Sequence, residues 1–232
     1  MDTYRKKVLI ALQILSVALL LLASATSAMA QTGTTASTQP PTTGPTTIRN
    51  IILPPMPDNL QVGDGFTAFL VGHALGTQNY VCKPTASGGF AFALFTPQAT
   101  LFSDANKEII VHFFSPNPDE ANTDPTIVAN FAVRATWQDS TDMSTVWAKL
   151  DQMSTDATFV DKDAVAWLLL DVVGTQDGPT GGKTLSDALR VQRLSTSGGL
   201  APKTGCSSAA DLGREAFVPY TADYFFYKKS PQ

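Results

Sequence analysis

Apolar and polar positions divide the chain into three stretches of different character. Arg5, Lys6 and Lys7 precede an apolar run from Val8 to Leu22, and small residues follow, ending in Ala28-Met29-Ala30. A cationic start, an apolar centre and an A-x-A end predict a secretory signal peptide over residues 1–30, cleaved before Gln31. The apolar run is short for a bilayer span. Residues 31–47, QTGTTASTQPPTTGPTT, hold no large apolar side chain. Such a stretch buries too little to offset the entropy of ordering, and it reads as a disordered Thr/Pro-rich leader.

From residue 48 to 232 the pattern changes to short apolar or alternating runs separated by turn signals, read as a single domain. Candidate strands are Phe66–Val71, Asn79–Cys82, Gly89–Phe95, Glu108–Phe114, Thr126–Val133, Ser144–Gln152, Ala164–Val173, Ala188–Leu194 and Val218–Tyr227. They are rich in valine, isoleucine, threonine and aromatics, which suit a pleated, half-buried surface. Between them lie S-G-G, S-D-A-N-K, S-P-N-P and D-G-P-T-G-G. Two segments also fit a helical period. Ser144–Met153 places Val146, Leu150 and Met153 on one helical face, although its alternation favours a strand. Thr184–Leu194 places Leu185, Ala188, Leu189 and Gln192 in register. The whole predicts an all-β fold: a single antiparallel β-sandwich or barrel with long loops.

Charge narrows the partners. The 232 residues carry a formal charge of −4, and without the first 30 the count is 13 basic against 19 acidic residues, or −6. No cluster of Lys and Arg occurs outside the signal, so neither nucleic acid nor an anionic membrane is an expected partner. No long apolar run remains after signal cleavage. The two cysteines, Cys82 and Cys206, are expected to pair in an oxidising compartment, closing a loop of 124 residues. A periplasmic or extracellular location follows.

Several motifs tempt and fail. Gly178-Pro-Thr-Gly-Gly-Lys-Thr184 resembles a phosphate-binding loop, but the spacing places Asp177 where glycine is required. Gly63-Asp-Gly-Phe-Thr-Ala68 matches G-x-G-x-x-A without the strand before it and the helix after it that a dinucleotide site needs. The two histidines, His73 and His112, cannot build a three-histidine metal site, and no H-E-x-x-H or G-x-S-x-G occurs. No cofactor is implied. His112, in Ile109–Phe114, reads as a packed histidine bonded to backbone, with ligand contact as the alternative. His73, between Gly72 and Gly76, reads as a bend. The acidic run Asp119–Asp124 reads as a solvated turn. Trp167 reads as core, whereas Trp137 and Trp147 flank polar turns and are candidates to stack on a sugar.

The C-terminal third is the most distinctive. It runs Val191-Gln-Arg-Leu-Ser-Thr-Ser-Gly-Gly-Leu-Ala-Pro202, then Gly205-Cys206, then Val218-Pro-Tyr-Thr-Ala-Asp-Tyr-Phe-Phe-Tyr227. Gly76-Thr-Gln-Asn-Tyr-Val-Cys82, His112-Phe113 and Trp167-Leu-Leu-Leu170 stand upstream. In this order the blocks resemble a family of secreted bacterial and fungal proteins known only as a domain of unknown function. Some fungal members carry a malate dehydrogenase label, which the failed dinucleotide fingerprint does not support. The resemblance brings no catalytic residues with it.

Candidate binding residues are therefore His112, Trp137, Trp147, Gln192, Arg193, Tyr220 and Asp223. Gln192 and Arg193 offer planar donors for a carboxylate or a neighbouring strand. Arg193 and Asp223 are expected to pair at a sheet end. Gly198-Gly199 is expected to turn the chain so that Cys206 returns to the sheet. The leading functional expectation is a non-catalytic binding or surface-associated domain for a sugar or small organic ligand. The alternatives are a secreted hydrolase using carboxylates, with or without His112, and a structural envelope protein.

Overall fold

Strands that must hide apolar side chains without leaving an unpaired edge have one complete solution, which is to close on themselves. The computed structural model describes residues 51–120 and 133–231, and in it eight strands do this. They are β1 (Phe66–Pro84), β2 (Phe90–Phe102), β3 (Glu108–Ser115), β4 (Arg134–Asp139), β5 (Thr145–Ser154), β6 (Trp167–Gln176), β7 (Arg190–Gly198) and β8 (Glu215–Lys229). Each pairs antiparallel with the next, and β8 returns to β1. The closing ladder is long, from Phe66 opposite Lys229 to Val81 opposite Glu215. Between the sandwich and the barrel, the chain forms the barrel. No α-helix occurs among the described residues. The expected signal peptide and leader lie outside them, as does the expected strand Thr126–Val133 except for Val133.

Two expected strands merge. Phe66–Val71 and Asn79–Cys82 are both parts of β1, and His73 sits mid-strand opposite Asp223 rather than at a bend. The glycines there mark close approach. A Cβ at Gly76 would lie 2.1 Å from the Gln98 carbonyl oxygen and 2.5 Å from the Ala99 Cα. A strand passing this near its neighbour admits only glycine. The ambiguous segment 144–153 is a strand, β5. In 184–194 the strand begins only at Arg190, while Leu185 and Ala188 turn into the interior and are fully buried.

The interior is filled on one side. Leu101, Ile110, Val146, Leu185, Val191 and Phe226 are all completely buried there. A second cluster covers the outside of β6, β7 and β8. Leu60, with Met56 and Val62 from the approach to β1, packs with Trp167, Leu169, Leu194, Phe225 and Tyr227. This two-sided cover explains the unbroken runs Trp167–Leu170 and Tyr224–Tyr227. Alternate residues belong to the inner cluster (Leu170, Tyr224, Phe226) and the outer one (Trp167, Leu169, Phe225, Tyr227).

The cysteines pair as expected. Cys82 and Cys206 are bonded, with Cα atoms 5.5 Å apart. The bond ties the β7–β8 connection to the end of β1. There Cys82 N–H donates to the Arg214 carbonyl at 2.8 Å and Gly213 N–H donates to the Cys82 carbonyl at 3.1 Å. Gly198 and Gly199 have φ of +67° and +85°, the left-handed turn that opens this connection.

Candidate functional site

The side of the barrel away from the Leu101–Phe226 packing is not filled. It holds a cavity of about 580 Å³. An aromatic floor separates the two halves. His112 and Trp137 face each other across the β3–β4 ladder and stack with ring centroids 4.4 Å apart. Tyr224 of β8 tilts against both, at 5.1 and 5.5 Å, and Phe226 meets the far side of Trp137 edge-on at 6.1 Å.

His112 is fixed as a neutral ring. Its Nδ1–H donates to the Thr136 carbonyl at 2.8 Å, which leaves the lone pair on Nε2. Burial lowers its pKa to about 3, and the nearby Arg193 charge acts in the same direction. Burial likewise raises the Tyr80, Tyr220 and Tyr224 hydroxyls, while the Arg193 charge opposes that rise in each. One guanidinium is thus felt by four rings, three of which (Tyr80, His112 and Tyr224) line the cavity.

Gln78, Tyr80 and Arg193 line the wall above this floor. Arg193 donates from Nε and Nη2 to the Ala166 carbonyl, at 3.2 and 2.8 Å. Tyr80 donates its hydroxyl to the Gly199 carbonyl at 2.5 Å. Trp137 Nε1–H is buried and has no acceptor. Gln78 Nε2 also lacks a partner within bonding geometry, although the amide stands near enough to Tyr220 to favour its ionised form. At the rim, Leu94, Leu150, Met153 and Leu200 are exposed, with Leu150 and Met153 at 52 %. A solvent-facing rim would ordinarily be polar, so this apolar collar is informative.

The charge of the lining is one-sided. Arg134, Lys149 and Arg193 contribute to it, and no Asp or Glu among the described residues does. Arg134 is bonded through both Nε and Nη2 to Glu120, at 2.8 and 2.7 Å. Two converging carboxylates, or an acid beside His112, are therefore not brought together in this cavity among the described residues. Nor does any described cluster of three His, Cys, Asp or Glu side chains gather to hold a metal.

Of the expected site residues, His112, Trp137 and Arg193 meet in the cavity. Tyr220 is buried in the interior, its hydroxyl 3.3 Å from that of Tyr224. Trp147 is not a surface stacking platform: it is buried, and its Nε1–H donates to Ser115 Oγ at 2.8 Å. Trp137 is buried too, and what it offers is an indole within a cavity floor.

Gln192 serves the outer cluster, donating to the Leu60 carbonyl and accepting from the Tyr227 hydroxyl. Asp223 does not pair with Arg193. It accepts from His73 Nδ1 at 2.7 Å on the outside of β1, and His73 Nε2 reaches Asp104 at 2.9 Å. Arg193 stands opposite Tyr224, and a one-residue step along β8 puts Asp223 on the other face. Gln78, Tyr80, Tyr224 and the rim leucines went unread in the sequence. Their signal is parity alone: Gln78 lies two residues beyond Gly76, and Tyr224 two before Phe226.

The phosphate-loop look-alike encloses an anion of its own. Asp142 Oδ2 accepts from Thr184 N–H at 2.9 Å, and Oδ1 accepts from Ser144 N–H and Oγ–H at 2.8 and 2.6 Å. A Cβ at Gly182 would lie 2.3 Å from the Asp142 Cβ, so the loop is wrapped tightly round this side chain.

No curated protein and no solved structure matches the chain. A family model described as a protein of unknown function, DUF3455, matches residues 64–228, from just before β1 to the penultimate residue of β8. The match takes in the whole barrel, and the chain belongs to the DUF3455 family.

Proposed function

We propose that this domain is an exported, non-catalytic binding protein that holds one small, largely apolar organic ligand inside the barrel. The observation that carries the reading is the half-filled interior. A cavity of about 580 Å³ lies within the range of drug-sized ligand sites, and an eight-stranded barrel is wide enough to hold one small ligand. Its wall is apolar apart from a few converging polar groups, which favours an apolar ligand over a sugar. The apolar collar gives such a ligand a path in. The disulfide supports export, since such bonds persist in oxidising compartments.

Titration with an environment-sensitive apolar dye, and its displacement by small apolar compounds, tests the reading. Saturable one-to-one binding is expected, with a rise in melting temperature. Ala148→Trp, which fills the cavity from β5, is expected to abolish binding while leaving the disulfide and sheet spectrum intact. A wild-type protein that takes up no apolar probe, or a filled variant that binds equally well, overturns it.

A further inference from the structure

We infer that the ligand is an amphiphilic acid whose carboxylate sits against Arg193 and whose apolar chain runs out past Leu150 and Met153. This rests on the binding reading above and adds the chemistry of the ligand's head.

The cavity places donors at one depth and apolar surface at another. Arg193, half-buried, and the buried Tyr224 and Trp137 line its inner part. Ala166 takes two of the five guanidinium N–H groups, the Tyr224 hydroxyl stands within hydrogen-bonding reach of the guanidinium, and no carboxylate among the described residues pairs with it. A partly buried cation in an apolar cavity is costly unless an anion meets it. The titratable groups that feel the Arg193 charge are a histidine held neutral and tyrosines held protonated by burial, so they supply no counter-charge among the described residues.

A site with unused guanidinium donors and no lining carboxylate among the described residues selects for an acceptor-only group. A planar carboxylate matches the guanidinium fork and accepts more than one hydrogen bond at once. Toward solvent the wall becomes Leu94, Leu150, Leu168, Met153 and Leu200, with Lys149 and Thr155 as its exposed polar members, which suits a hydrocarbon chain better than a polar body. With Arg134 neutralised by Glu120, Lys149 and Arg193 remain, and with no acidic lining residue among the described ones they disfavour a cationic amphiphile.

Calorimetric titration with dodecanoic acid and dodecanol, both below micellar concentration at pH 7.5, separates head from tail. The acid is expected to bind at least about tenfold more tightly than the alcohol. Arg193→Gln, which can still donate to the Ala166 carbonyl, is expected to erase that advantage while leaving alcohol binding within about threefold. Equal wild-type affinity for acid and alcohol overturns the head-group assignment and leaves the cavity reading standing. Binding of neither overturns both. Should Arg193→Gln fail to fold, the wild-type comparison of acid and alcohol decides alone.

Discussion

His112 lies flat on Trp137, the two ring planes within 6° of each other and their centroids 4.4 Å apart. A protonated imidazole would be stabilised by the indole face. Burial outweighs this, and the ring stays neutral down to a pKa of about 3. The sign of the linkage follows. Below the ordinary histidine value of 6.5 the unfolded chain binds a proton that the folded one refuses, so stability falls as pH drops from 6.5 toward 3. The slope reaches about 1.4 kcal/mol per pH unit. His112→Asn is expected to flatten that slope, measured by urea unfolding at pH 7.0, 5.5 and 4.5. A variant with an unchanged slope removes His112 from the acid response.

Gln192 holds the segment before β1 to the barrel. Its amide donates to the Leu60 carbonyl and accepts from Tyr227, and both partners are buried. Gln192→Ala leaves two polar groups without partners and is expected to cost about 1–3 kcal/mol. Hydrogen exchange should accelerate around residues 56–62, while the cavity keeps its ligand affinity.

Asp142 supports the 177–184 loop through its ionised carboxylate. Its partial burial disfavours the charge. The Ser144 and Thr184 donors outweigh that and hold its carboxyl well below the usual carboxylate range. Stability from this group is therefore present above the unfolded value near 3.8 and is lost as pH falls further, through the folded value. Asp142→Asn is expected to destabilise the domain by about 1–3 kcal/mol at pH 7. The gap from wild type should narrow below about pH 4, which parallel denaturation curves will show.

Replacing both Cys82 and Cys206 by serine removes a 124-residue closure. Chain entropy puts the loss at about 4–5 kcal/mol. Thermal unfolding of the double variant should therefore occur well below that of the wild type, and reductant should lower the wild type but not the variant.

The all-β class was legible because apolar alternation and turn residues recur at strand-length spacing. Barrel against sandwich was not, because alternation assigns faces to a strand without saying which edge meets which. Gly72 and Gly76 made one long strand look like two; they mark where backbones crowd, not where the strand stops. Half of the site was legible for a related reason. Gln192 and Arg193 are adjacent, so only one of them can point inward, and the chain alone does not reveal which. Trp147 read as a surface platform because the segment that covers it, around Ser115, is distant in sequence. Gln78 and Tyr80 were missed because polar side chains on an inner face become meaningful only once a void is seen in front of them.

Closure of β1 on β8 joins positions some 150 residues apart, as in His73 opposite Asp223. Contacts this remote cannot form until β8 has left the ribosome, and folding dominated by such contacts is slow. Until then the growing chain has two bare sheet margins. A product truncated before Glu215 would keep those margins permanently and offer them to other chains as templates for aggregation.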